Sequence, residues 1–217
     1  MINLNRYMAV ARRPLALILV CGAVAVSLQG CFAMMAGGVV AGTLAATDRR
    51  TLGAQTEDKA IIVKGEARIP GVVGEAGHVN VTSFNRKVLL TGEVPSEAAK
   101  EAAGREAASI EGVQSVVNEL AVSGASGFGS RSNDSLITGK VKASFVDNKT
   151  LYANAIKVVT ERGIVYLMGR VTENEGNLAA EIARGVSGVQ KVVKVFEYIS
   201  DDEYRQMTNT SDTQQKK

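Results

Sequence analysis

The 217-residue chain has no tryptophan, one histidine (His78) and two cysteines, Cys21 and Cys31. Each scarcity removes a class of protein. No serine–histidine–carboxylate set, carboxylate pair or metal-ligand spacing gathers around the lone histidine, so neither an enzyme nor a cofactor is expected. Two cysteines cannot build a disulfide framework. With five phenylalanines and no tryptophan, any core must come from Val, Ile, Leu and Ala. The chain has length enough for one large domain or two small ones.

What is present begins with a targeting segment. Arg6, Arg12 and Arg13 precede a mostly apolar stretch from Leu15 to Leu28. Fourteen such residues are too few for a membrane-spanning helix and suit a signal peptide. The stretch ends in Leu28-Gln29-Gly30-Cys31, which resembles the lipobox of bacterial lipoproteins. That resemblance implies cleavage before Cys31 and acylation of its sulfur and new amino group, with residues 1–30 removed and residues 31–47 left as an acylated tether. Phe32, rather than an aspartate, follows the cysteine; by analogy this favours the outer membrane, with the protein facing the periplasm. Cys21 would leave with the signal and Cys31 would become a thioether, so no thiol is expected in the mature chain.

Charge then changes meaning. The chain holds 25 basic and 22 acidic residues, but three of the basic ones and none of the acidic ones precede Cys31. The remainder is formally neutral, and the case for a nucleic-acid partner goes with it. The distribution is uneven. Residues 48–124 carry 9 basic and 11 acidic side chains, and residues 130–199 carry 10 and 7.

The chain also repeats itself. Val88-Leu89-Leu90-Thr91-Gly92-Glu93-Val94 returns as Val165-Tyr166-Leu167-Met168-Gly169-Arg170-Val171, and Gly112-Val113-Gln114-Ser115-Val116-Val117 returns as Gly188-Val189-Gln190-Lys191-Val192-Val193. Two diverged copies of one small module are therefore expected, over 48–122 and 133–199. The Gly/Ser segment 123–132 reads as a flexible linker and the polar stretch 200–217 as a disordered tail.

Each copy reads as α-β-β-α-β, an α+β module with a three-stranded sheet and two helices. In the first copy a helix is expected from Thr56 to about Arg68, weakened by Gly65, with a loop over 70–77. Turns at Asn85-Arg86 and Arg162-Gly163 join two hairpins. Ala179, Ile182, Ala183 and Val186 make one apolar stripe, whereas the first copy has Ala103, Glu106, Ala107 and Ile110. Gly112 and Gly188 are expected to cap these helices. Final strands are expected over Val113–Val122 and Val189–Ile199.

On Val88–Val94, Gly112-Val113, Ser132-Asn133-Asp134, Val165–Val171 and Val186-Ser187-Gly188-Val189, the chain resembles the BON family, in its form with two tandem modules on a lipoprotein anchor. The resemblance implies a non-enzymatic envelope protein. It implies that the second module binds anionic phospholipid, chiefly phosphatidylglycerol, through its first helix, with gathering at the division site. That helix is expected from Asn133, as N-cap, to about Val146. Leu136, Ile137, Lys140, Val141, Lys142 and Ser144 are the candidate lipid-binding residues, apolar groups flanked by lysines that suit a headgroup layer. Ile137, Val141 and Phe145 also suit packing on the sheet. Close relatives carry an aromatic residue where this chain has Leu136. The competing reading is a protein-binding scaffold for outer-membrane assembly, division or peptidoglycan-remodelling partners without direct lipid recognition. An osmotic-stress sensor is a third.

Overall fold

The computed structural model describes residues 48–124 and 126–214. The signal, lipobox and tether expectations lie outside the described residues. The described residues belong to one compact unit.

The unit is α+β and contains both copies of the repeat. The first module runs α1 (Leu52–Val73), β1 (His78–Phe84), β2 (Lys87–Val94), α2 (Glu97–Ala108), β3 (Ser115–Asn118) and β4 (Ala121–Val122). The second runs α3 (Phe128–Asp147), a 3-10 turn (Ala153–Ala155), β5 (Ile156–Glu161), β6 (Ile164–Val171), α4 (Glu173–Arg184), β7 (Lys191–Lys194) and β8 (Glu197–Tyr198), followed by α5 (Asp201–Gln214). In each sheet the hairpin is antiparallel, and the strand after the crossover helix pairs in parallel with the hairpin's second strand.

The hairpin turns match expectation for a stated reason. Asn85, Arg86, Arg162 and Gly163 all have positive φ, as a two-residue turn that follows strand twist requires. Each expected final strand is broken instead. Asn118 donates to Lys100 O at 2.7 Å and accepts from Leu120 N, which turns Leu120 inward and splits β3 from β4.

Five further expectations are corrected. Helix α1 starts at Leu52, capped by Thr51, and runs to Val73, so the expected loop over 70–77 is confined to 74–77. Pro70 lies inside it, and the helix ends within one turn after it, at Val73. Gly65 does not mark weakness: a Cβ there would lie 2.9 Å from Val81, so the glycine lets helix and strand meet. Helices α2 and α4 end at Ala108 and Arg184, and Gly112 and Gly188 turn the chain further on, at φ 91° and 99°. The linker 123–132 is helical from Phe128, with Gly127 rather than Asn133 at the N-cap. The expected disordered tail is helix α5, tied down where Arg170 pairs with Glu203 at 2.5 Å.

Alternate β2 and β6 positions face opposite ways. Val88, Leu90 and Val94 pack under α1 and α2 with Ile61, Ile69, Ala103 and Ala107. Val165, Leu167 and Val171 pack under α3 and α4 with Ile137, Val141, Phe145 and Ala179. Each fully buried Leu, Ile or Phe contributes about 1.5–3 kcal/mol. The remaining positions build a third cluster in which Phe84 and Leu89 of one module meet Tyr166, Met168 and Val195 of the other. The two modules thus pack sheet to sheet. Burial there pushes the Tyr166 hydroxyl up to about 12.

Candidate membrane-facing surface

Helix α3 has two unlike sides. Ile137, Val141 and Phe145, spaced i, i+4, i+8, are at most 1% exposed and lock one side to the sheet. Asp134 shares that side. Its two oxygens accept from Arg162 N and Gly163 N at 2.8 Å, so the helix holds the hairpin turn that follows it. The first module does the same with more donors. Asp58 accepts from Asn85 N, Arg86 N, Ser83 Oγ and the Arg50 guanidinium, all within 2.6–2.8 Å. Asp134 was expected near the start of the helix; it lies in the second turn and serves the hairpin instead.

The other side of α3 is open. Leu136 is 65% exposed and Val146 70%, and Lys140, Lys142 and Ala143 are exposed beside them. Of the six candidate residues, Leu136, Lys140 and Lys142 stand on this surface and Ser144 is half-buried. Ile137 and Val141 are corrected: both are core, since the sheet needs an apolar stripe along one side of the helix. Val146 was missed, although its spacing of ten from Leu136 puts it on the exposed arc.

At the edge of α3 nearest the first module, Arg131, Ser135 and Thr138 border a cleft of about 270 Å³. Asn80 and His78 of β1 close it from the first module, and Thr160 and Glu161 from the second. Thr138 Oγ1 donates to Thr160 Oγ1 at 2.7 Å, and Asn80 Nδ2 donates to Glu161 Oε2 at 2.8 Å. Burial raises the Glu161 carboxyl above its usual range, the Asn80 bond opposes this, and Glu93 and Asp134 add to it. On the strand face that turns toward the second module, Glu93 is fully buried with both oxygens unpartnered.

A strap, Asp48–Arg50, crosses both modules. Arg49 pairs with Glu175 at 2.6 Å, donates to Arg170 O and lies over the rings of Tyr152 and Tyr204. Arg50 pairs with Asp58 and covers the Phe84 ring at 4.1 Å. No sequence signal marked the strap's hold on the second module, because the hydrogen-bond partners of Arg49 lie 121 to 126 positions away. Among the described residues no helix is long and apolar enough to cross a membrane.

Comparison with known proteins agrees with this architecture. The outer membrane lipoprotein DolP of Haemophilus influenzae is 42% identical over 175 residues, which cover 79% of this chain and 90% of that protein. The 21 kDa hemolysin of Actinobacillus pleuropneumoniae is 36% identical, covering 70% of this chain and 79% of that one. The osmotically-inducible protein Y of Escherichia coli is 32% identical over 117 residues, covering 52% of this chain and 58% of that one. The first of these is named an outer membrane lipoprotein, and this chain carries the lipobox-like Leu28–Cys31 sequence. The family and these relatives point to a non-catalytic role. The BON domain description matches residues 58–124 and 133–200, one match in each module, and the chain belongs to the BON family.

Proposed function

We propose that the chain is a non-catalytic envelope lipoprotein held at the outer membrane through acylated Cys31. Its second module binds anionic phospholipid, phosphatidylglycerol-like, through the open side of α3, and so supports envelope integrity, including at the division site. One observation carries this reading: Leu136 and Val146 are exposed beside Lys140 and Lys142 on a helix whose opposite side is fixed in the core. The magnitudes fit a tethered protein. A leucine and a valine entering the interface, with about 1 kcal/mol per lysine near an anionic surface, supply roughly 4–5 kcal/mol. That corresponds to a Kd on the order of 1 mM or somewhat below. It is weak for a free protein and sufficient for one already held at the surface, where effective concentrations are about millimolar.

The test uses the unacylated unit Thr47–Lys217, which is compact by itself. It is expected to co-sediment with phosphatidylglycerol vesicles at low salt and to be released as salt rises. Leu136→Glu with Lys140→Glu should weaken binding at least tenfold while leaving the circular dichroism spectrum unchanged. Absence of wild-type binding at low salt would overturn the reading and leave a scaffold for outer-membrane assembly or peptidoglycan-remodelling partners.

A further inference from the structure

The cleft beside α3 has a chemistry of its own. Its floor is Glu161, which is 7% exposed. A carboxylate offers about four acceptor sites, and the hydrogen bond from Asn80 meets one of them. No ion pair reaches Glu161 among the described residues, and the unpartnered Glu93 adds negative potential close by. The floor therefore calls for hydrogen-bond donors. The rim is the opposite: Arg131 is exposed there, a fork of N–H groups suited to a phosphate. Ser135 and the Thr138–Thr160 pair place hydroxyls between floor and rim.

Position and asymmetry point the same way. Arg131, Ser135, Thr138 and Lys142, at i, i+4, i+7 and i+11, share one edge of α3, and Leu136 lies next to Ser135. The repeat supplies an internal control. Where the second module has Glu161, the first has Phe84, covered by the Arg50 guanidinium at 4.1 Å. One of the two related places is plugged and the other is open.

We propose that this cleft is a headgroup site for a phosphodiester lipid whose headgroup donates hydrogen bonds, with the phosphate at Arg131 and the headgroup donors at Glu161. The site is complete only with Asn80 from the first module, so headgroup selection needs both modules, whereas general attraction to anionic surfaces needs only α3. This inference rests on the lipid-facing reading of α3 and adds a selectivity to it.

The test compares vesicles of equal charge. The unit Thr47–Lys217 is expected to bind phosphatidylglycerol vesicles at least about fivefold more tightly than phosphatidylmethanol vesicles, which carry the same charge and no headgroup donor. Glu161→Gln and Asn80→Ala should each bring that ratio close to one while keeping affinity for phosphatidylmethanol, and Glu161→Gln should do so without lowering the thermal midpoint. Addition of phosphatidylethanolamine, against phosphatidylcholine, shows whether an ammonium serves as donor as well as a diol; a gain with either donor headgroup supports the site. Equal wild-type binding to donor-bearing and donor-free headgroups would overturn the cleft and leave the α3 reading standing. So would a preference that survives both substitutions. Failure to bind any anionic vesicle would overturn both.

Discussion

The two modules share one fold and differ where the fold meets charge. In the first, Asp58 gathers four donors, including Arg50; in the second, Asp134 has the two turn N–H groups. At one equivalent position of the central strand the first module buries Glu93 without a partner, while the second places Arg170 in pairs with Glu197 and Glu203. The crossover helix of the second has a full capping box, Thr172 with Glu175; that of the first has Ser96 alone. The outer side of the first helix carries Ala60, Val63 and Lys64 in one copy and Leu136, Gly139 and Lys140 in the other.

The comparison can be broken most severely at the hairpin carboxylates. Asp58→Ala should cost about 3–5 kcal/mol, because it leaves two turn N–H groups and the buried Ser83 hydroxyl without their acceptor and takes from Arg50 one of its two carboxylates. Asp134→Ala, with two donors to strand rather than four, should cost about 2–3 kcal/mol. Urea midpoints of the two variants measure the difference. The next contrast reverses sign. Glu93→Met should stabilise by about 1–3 kcal/mol, since it removes a buried carboxylate with no partner. Arg170→Met should destabilise by about 1 kcal/mol, its partners being partly exposed. A smaller effect separates the helix surfaces. Leu136→Trp should strengthen vesicle binding roughly fivefold through interfacial anchoring, whereas Ala60→Trp should leave it unchanged.

The smallest effect is in pH. Burial alone would raise Glu175, but hydrogen bonds from Arg49 and Thr172 outweigh it and hold the carboxyl below its ordinary 4.5. Its stabilisation is present above that value and is lost as pH falls through the folded one. Glu161 is raised by burial, so it costs stability as pH climbs past 4.5. Glu161→Gln should therefore stabilise near neutral pH and do nothing in acid, while Glu175→Gln should destabilise near neutral pH. Denaturation midpoints across pH 3–8 check both signs.

Much of this was legible in the chain. The repeat gave two modules and the hairpins, because turn chemistry and strand alternation are local. Helix α1 was under-read because Gly65 and Pro70 count against a helix in isolation, and only the approach of Val81 explains the glycine. The module interface left a sign in Val88-Leu89-Leu90, an unbroken apolar run of the kind a strand buried on both faces needs. Ile137 and Val141 entered the candidate surface because periodicity shows which residues share a side, not whether that side meets a sheet or a membrane. The strap, the Glu93 burial and the cleft join residues far apart in sequence and have no local signature.

The strap has a mechanical consequence. A pull on the chain ahead of Asp48 arrives first at two adjacent arginines, one fastened to each module. The load divides between Arg49, held by Glu175 and two tyrosine rings, and Arg50, held by Asp48 and Asp58. Tension ahead of Asp48 therefore meets the second module through Arg49 and the first through Arg50 before it reaches the start of α1.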